Sequence, residues 1–99
     1  MNLEMKKDGD RTLAVEIEGS IDTVTAPQLE KALKDCYAEI EELVLDFSRV
    51  DYVSSAGLRV ILSASEAMAE PKKLILKNVK EDVREVFEMT GFDELLTIE

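Results

Sequence analysis

The stretch that most constrains the fold is the apolar run "LVLDF" (Leu43–Phe47), closely followed by "VSSAGLRVIL" (Val53–Leu62). A nearly continuous run of strand-forming residues predicts a central strand of a sheet. The small residues that follow predict a thin helix able to lie close to that sheet. Gly57, in the first helical turn, costs roughly 1 kcal/mol of helix propensity. We therefore interpret it as a point of close backbone approach, and the two segments together predict an α/β domain.

Two adjacent serines, Ser54 and Ser55, stand where this helix is predicted to begin. A helix N-terminus offers free backbone N–H groups and a partial positive charge. A hydroxyl there can be presented to a partner, and a phosphate on it would be tolerated. Serine is also enriched at N-caps, so the simpler interpretation is that one of the two only caps the helix.

The remaining patterns predict one domain spanning residues 1–99, with no linker or internal repeat. Strands are expected at Asn2–Lys7 and Thr12–Glu18, joined as a hairpin by an Asp-Gly turn, and at Leu74–Leu76. Residues Glu94–Ile98 are either a final edge strand or a short helical turn with an extended tail. The predicted order is β-β-α-β-α-β-α, giving a mixed sheet of four to five strands with helices mainly on one face.

The first helix carries start signals around Thr25. Gln28 stands at the capping-box position and Pro27 lies in the first turn, so Thr25 is predicted to be the N-cap. Val24 before the cap and Leu29 after it are predicted to form a hydrophobic staple. The apolar residues recur at steps of three and four, which predicts an amphipathic helix.

Several further residues carry local predictions. The apolar positions of the first helix continue to Ile40 and place Cys36 on its buried face, as a core residue. Asn78 and Glu81 have capping-box spacing at the start of the third helix. Asp46 either projects toward the crevice above the sheet or caps the turn that follows it.

Charge narrows the range of partners. The chain has 22 acidic and 12 basic residues, a net charge of −10. This balance argues against nucleic acid and against an anionic membrane surface, both of which require clustered Lys and Arg. A protein partner or a cationic ligand remains open, as does the simpler interpretation that acidic faces keep the domain soluble.

Composition also narrows the chemistry. The chain has no histidine and one cysteine, Cys36, so a Ser-His-Asp triad, a Cys-His pair and the usual zinc or iron sites are excluded. An enzyme with Ser55 as nucleophile would need an Asp or Lys base. We expect a protein that is not an enzyme and binds no cofactor or metal. The N-terminus has no signal-peptide core and the apolar runs are short, so we expect a cytoplasmic protein.

Three segments, in order and at characteristic spacing, resemble the STAS domain over almost the whole chain. They are "GSIDTVTAPQL", "LVLDFSRVDYVSSAGLRVIL" and "LILKNVKEDVREVFEMTGFDELL". The likeness is to bacterial anti-sigma factor antagonists. It implies the mixed sheet and a switch in which a partner serine kinase, also the anti-sigma factor, phosphorylates a serine. The unphosphorylated form binds that kinase and frees the sigma factor, and a PP2C-type phosphatase resets the cycle.

The resemblance assigns roles to residues. The phosphorylated serine of the family lies two residues before a Gly-Leu pair, which here gives Ser55, with Ser54 as second choice. Ser54 itself stands where many members have aspartate, and Arg59 where many have glycine. The predicted partner-binding surface comprises Asp22, Thr23, Thr25, Ser54, Ser55, Gly57, Leu58 and Arg59.

Some assignments keep alternatives. Asp22 matches a family aspartate near the phosphorylation site, but the residues alone also fit an Asx-type turn. Arg59, four residues after Ser55, either clamps the phosphate, pairs with a kinase carboxylate, or is simply solvated. The alternative function is a non-switching STAS subunit of a larger assembly, such as a lipid-transport ATPase complex. A nucleotide-binding module has no supporting motif beyond the helix N-terminus.

Overall fold

A hairpin and three successive crossovers form the sheet in the computed structural model, which describes residues 1–99. Strand order is β1-β2-β3-β4-β5, with β1 antiparallel to β2 and all other neighbours parallel. The elements are β1 Asn2–Lys7, β2 Thr12–Ile21, α1 Ala26–Lys34, β3 Glu42–Val53, α2 Ser55–Ala67, β4 Lys73–Lys77, α3 Glu81–Thr90 and β5 Thr97–Ile98, with 3-10 turns at Tyr37–Glu39 and Phe92–Glu94. The predicted order and mixed sheet are confirmed, and a fifth strand forms.

The core lies between one face of the sheet and the helices. Along β3, Leu43, Leu45 and Phe47 are fully buried, whereas the alternating Val44 and Asp46 on the other face are partly exposed. This period of two is what a strand covered on one face produces. All 22 residues of the core cluster are hydrophobic, and no charged or polar residue is buried. Hence the helices cover mainly one face, as predicted.

The two central strands extend further than the sequence pattern predicts. β2 continues past Gly19 (φ +109°) to Ile21, and β3 continues past Phe47 to Val53. Exposed polar residues break the apolar pattern of β3 after Phe47, but the backbone goes on pairing with β2 through a shifted register. Both strands therefore end side by side, with Ile21 opposite Val53, immediately before α2 begins.

The end of the first helix differs from the prediction. α1 stops at Lys34, not at Ile40. Ile40 directly follows the 3-10 turn Tyr37–Glu39, and its side chain is buried in the core. Cys36 lies in this connection, packs against the core and is partly buried rather than fully enclosed. Its thiol lies 3.4 Å from the carbonyl oxygen of Ala32, to which it donates.

The start of the third helix also differs. Lys80, not Asn78, is the N-cap of α3, so the predicted capping box of Asn78 with Glu81 is wrong. Asn78 has a positive φ of 57°, and its Nδ2 donates to Oδ1 of Asp46 at 3.2 Å. The same oxygen accepts the backbone N–H of Ser48 at 2.9 Å. Asp46 is thus engaged with the local backbone and with Asn78.

Gly57 makes the close approach that its position in the helix predicts. A Cβ built on it would lie 2.6 Å from the carbonyl oxygen of Ile21. It would also lie 2.9 Å from Cγ2 of Ile21 and 2.9 Å from Cγ1 of Val53. Only glycine lets the first turn of α2 rest directly on the ends of β2 and β3.

We expect Gly57→Ala to destabilise the protein by about 2 kcal/mol, since overpacking against a backbone atom cannot be relieved by a rotamer change. This loss would outweigh the gain of about 1 kcal/mol that alanine brings to a helix. Equilibrium urea unfolding measures the difference. Ser63→Ala, at an exposed position of α2, is the control and should change stability by less than about 0.5 kcal/mol. An equally stable Gly57→Ala protein would contradict the close packing.

Candidate functional site

Ser54 is the N-cap of α2. Its backbone is extended (φ −84°, ψ 177°) and its Oγ accepts the N–H of Gly57 at 3.3 Å. Its own N–H donates to the carbonyl oxygen of Ile21 at 2.8 Å, and its carbonyl oxygen accepts the N–H of Leu58 at 2.8 Å. Ser54 is therefore partly buried and makes three hydrogen bonds, through its hydroxyl, its N–H and its carbonyl oxygen, as expected for a capping serine.

Ser55 has different surroundings. It is the first residue of α2, it is exposed, and its hydroxyl makes no hydrogen bond within the protein. The positive end of the helix dipole and the unpaired N–H groups of a first turn surround this position. The Ser55 hydroxyl is thus presented to solvent where added negative charge is favourable.

The loop before α1 is held by a carboxylate. Oδ1 of Asp22 accepts the N–H groups of Val24 and Thr25, each at 3.0 Å. The Thr25 hydroxyl accepts the N–H of Asp22 at 2.9 Å and donates to the carbonyl oxygen of Ser20 at 2.7 Å. Asp22 and Thr25 thereby brace one another across the turn, which is the Asx-type role that the sequence left open for Asp22.

This arrangement overturns two local predictions. Thr25 is the N-cap of α1, as predicted, but its side chain makes no capping bond to the helix, and the Gln28 amide instead donates to the carbonyl oxygen of Met1 at 3.4 Å. The capping box is wrong because Asp22 already occupies the Thr25 side chain. The staple is also wrong, since Val24 is 84% exposed while Leu29 is buried.

Hydrogen bonding sets the charge state of Asp22. The backbone N–H of Thr25, helped by the N–H of Val24 and the Thr25 hydroxyl, holds the pKa of the Asp22 carboxyl below its usual value, against the opposing effect of burial. The carboxylate is therefore ionised over the physiological range. It stabilises the loop that adjoins the start of α2.

A model of the STAS domain matches residues 2–99 of the chain. The chain belongs to the STAS domain family. This confirms the resemblance seen in the sequence, and it accounts for the order of strands and helices.

Relatives of this STAS domain are named as anti-sigma factor antagonists. BtrV of Bordetella bronchiseptica, whose name describes it as an anti-sigma factor antagonist, is 39% identical over 97 residues, covering 93% of this chain and 80% of BtrV. The anti-sigma-B factor antagonist of Listeria monocytogenes is 29% identical over 101 residues, covering 99% of this chain and 88% of that protein. The crystal structure of an anti-sigma factor antagonist from Mycobacterium paratuberculosis superposes with a TM-score of 0.87 at 27% identity, covering 98% of this chain and 83% of that one.

The structure places the predicted partner-binding residues of this STAS domain at one end of the sheet, because the carbonyl oxygen of Ile21 joins the Asp22 loop to the start of α2. Thr23, Ser55 and Arg59 are exposed, and Asp22, Thr25 and Ser54 are partly exposed. Gly57 and Leu58 are buried, so they support the surface from below.

Two exposed apolar side chains near this surface are absent from the sequence prediction. Val24 is 84% exposed in the Asp22 loop, and Tyr52, 55% exposed, pairs with Ser20 at the end of β3. Aromatic side chains are enriched at interaction sites, although single exposed apolar residues such as Met5, Met89 and Leu95 occur elsewhere on the surface as well. The sequence did not indicate that Val24 and Tyr52 would be exposed, because Val24 fits a hydrophobic staple and Tyr52 follows a predicted turn.

Other kinds of site find no support. No helix is both long enough and apolar enough to cross a bilayer. No group of three or more Cys, Asp or Glu side chains is arranged to hold a metal ion.

Removing the Asp22 carboxylate should destabilise the protein at neutral pH, because two backbone N–H groups lose their acceptor. The folded-state pKa is lowered, so this stabilisation is present above the unfolded value of about 3.9 and is lost as the pH falls through the folded value. We expect Asp22→Ala to unfold at a lower temperature than the wild type at pH 7 and to converge with it in acid.

Thermal unfolding followed by circular dichroism across this pH range tests the expectation. Asp93→Ala is the control, since Asp93 is exposed and its side chain makes no hydrogen bond. A difference between Asp22→Ala and wild type that stays constant from pH 7 into acid would show that the carboxylate charge is not involved.

Proposed function

We propose that this STAS domain is an anti-sigma factor antagonist whose switch is Ser55. Unphosphorylated, it binds an anti-sigma factor that is also a serine kinase, and so releases the sigma factor. Phosphorylation of Ser55 ends binding, and a PP2C-type phosphatase restores it. The observation that carries the proposal is the free, exposed hydroxyl of Ser55 at the first turn of α2, and the relatives named as antagonists support it.

The contrast between the two serines supports the choice of Ser55. The Ser54 hydroxyl serves as the cap of α2, and losing such a cap costs about 1 kcal/mol. A kinase would have to break this contact to reach Ser54. The Ser55 hydroxyl has no partner to give up, so it is the accessible acceptor of the pair.

A phosphate on Ser55 would leave the fold intact and change the surface. It adds about −1.5 to −2 charge and three acceptor oxygens. The helix N-terminus favours this charge, so α2 stays folded. Within a partner interface the same charge would be buried without a counter-charge from the partner, at a cost of about 3–5 kcal/mol. Binding would weaken by at least about two orders of magnitude.

The absence of an activating group supports a substrate rather than an enzyme. No side chain of the protein hydrogen-bonds to the Ser55 hydroxyl, and the chain has no histidine to act as its base. On this proposal the partner kinase supplies the chemistry and Ser55 only receives the phosphate. Asp22, Thr23 and Thr25 form the neighbouring rim of the docking surface. The proposed setting is the cytoplasm, where the anti-sigma factor acts.

Incubation with the anti-sigma factor kinase encoded in the same genome and ATP should add one phosphate, detected by intact-mass spectrometry. We expect Ser55→Ala to abolish the added mass and Ser54→Ala to leave it in place. Ser54→Ala loses only a cap, so a circular dichroism spectrum should show that it still folds.

Labelling that disappears in Ser54→Ala but persists in Ser55→Ala would move the switch to Ser54. A kinase that binds wild type and Ser55→Asp with equal affinity, and modifies neither serine, would contradict the switch. That outcome would favour a static STAS subunit of a larger assembly.

A further inference from the structure

The groove between α1 and α2 carries a charge opposite to that of the whole protein. Its open volume is about 490 Å³ and it is lined by Thr23, Ala26, Pro27, Glu30, Lys31, Lys34, Ala56, Arg59 and Val60. Ala26 and Val60 are buried and form its base. Three cationic side chains and one carboxylate line it, in a chain of net charge −10. We call this feature the cationic groove.

The three cations of the groove form no ion pair within the molecule, although the Glu30 carboxylate lines the same groove. The ion pairs of the protein involve Lys6, Arg49 and Lys80, all outside the groove. Lys31, Lys34 and Arg59 have no carboxylate oxygen within 4.0 Å. Their charge is therefore available to a partner.

Helix stability explains only part of this charge. Lys31 and Lys34 lie in the last turn of α1, where positive charge complements the helix dipole. Arg59 lies one turn after the start of α2, near the positive end of that helix, where a cation gains nothing from the dipole. The helix dipole therefore does not account for Arg59.

The cationic groove adjoins the proposed switch. Ala56 and Arg59 line it, and they lie one and four residues after Ser55 on the same helix. Residues four apart on a helix are neighbours, so the Arg59 side chain is placed to pair with a phosphate on Ser55. Thr23 belongs both to the groove and to the predicted partner-binding surface.

Resting on the function proposed above, we propose that the cationic groove binds an acidic segment of the anti-sigma factor. Carboxylates of that segment pair with Lys31, Lys34 and Arg59 while its apolar atoms cover Ala26 and Val60. A phosphate on Ser55 then acts twice, because it repels the acidic segment and draws Arg59 to itself. On this proposal, the phosphate weakens binding of the partner at the groove even though it does not destabilise α2.

Surface plasmon resonance with the anti-sigma factor kinase, at low and at high ionic strength, tests the groove. The test protein is the triple variant Lys31→Gln, Lys34→Gln and Arg59→Gln. We expect its association rate to fall about tenfold at low salt and to lose most of its salt dependence, as removal of complementary interface charges does. The control is Lys7→Gln, Lys73→Gln and Lys77→Gln, exposed lysines on β1 and β4, which changes net charge equally and should bind as wild type.

The outcomes separate the two proposals. A groove variant that associates like wild type, with the same salt dependence, overturns the groove and leaves the antagonist function standing. A wild type that forms no complex with the kinase overturns both. A wild-type dimer that only the groove variant disrupts, seen by light scattering, would mean that a second copy fills the groove. The single Arg59→Gln variant, which leaves the last turn of α1 unchanged, should still slow association two- to threefold, about one third of the full effect on a logarithmic scale.

Discussion

The contact on which the site depends is the one between the first turn of α2 and the ends of the two central strands. The carbonyl oxygen of Ile21 accepts the N–H of Ser54 at 2.8 Å and leaves room at Gly57 for a hydrogen but not for a carbon. This packing fixes where α2 begins and how it is directed. Because Ile21 is followed at once by Asp22, the same carbonyl fixes the loop that precedes α1. Two segments distant in sequence are therefore held as one surface by backbone atoms.

This geometry gives the two serines different surroundings. Ser54 is turned toward the helix backbone and caps Gly57, whereas Ser55 begins the helical turn and points its hydroxyl into solvent. On the proposal made above, a phosphate at Ser55 would meet the positive end of α2 and the unpaired Arg59, and would change the surface without loosening the core. A switch of this kind needs a rigid support, and the Asp22–Thr25 bonds and the Gly57 contact supply it.

Much of the fold could be predicted from sequence because it rests on local patterns. Alternation in β2, the apolar run at Leu43–Phe47 and the glycine at position 57 each carry their own signal, and the order of elements follows from them. The start of α1 at Thr25 was predicted correctly, but its capping contacts were misread for a physical reason. Thr25 and Gln28 fit a capping box, yet the backbone N–H of Asp22, three residues before Thr25, donates to the Thr25 hydroxyl oxygen in place of the helix N–H. The extension of β3 to Val53 was missed because the exposed Ser48 and Arg49 break the apolar alternation, although the backbone goes on pairing with β2 and buries Val50 and Val53.

The site could be predicted in part. The motif around Ser55 predicts a surface at the start of α2, but nothing local shows that Lys31 and Lys34 of α1 line one groove with Arg59 of α2, because these charges meet only when the helices pack together. Likewise Gly57 and Leu58 belong to the motif although they are buried, since their role is to hold the surface rather than to form it.

The most direct test of the account is the affinity of the anti-sigma factor kinase for protein carrying phosphoserine at position 55, introduced during translation and compared with unmodified protein by isothermal titration calorimetry. The account predicts a complex with the unmodified form, no measurable complex with the phosphorylated form, and an unchanged melting profile for both. Equal affinity of the two forms would contradict it, as would a phosphorylated form that no longer folds.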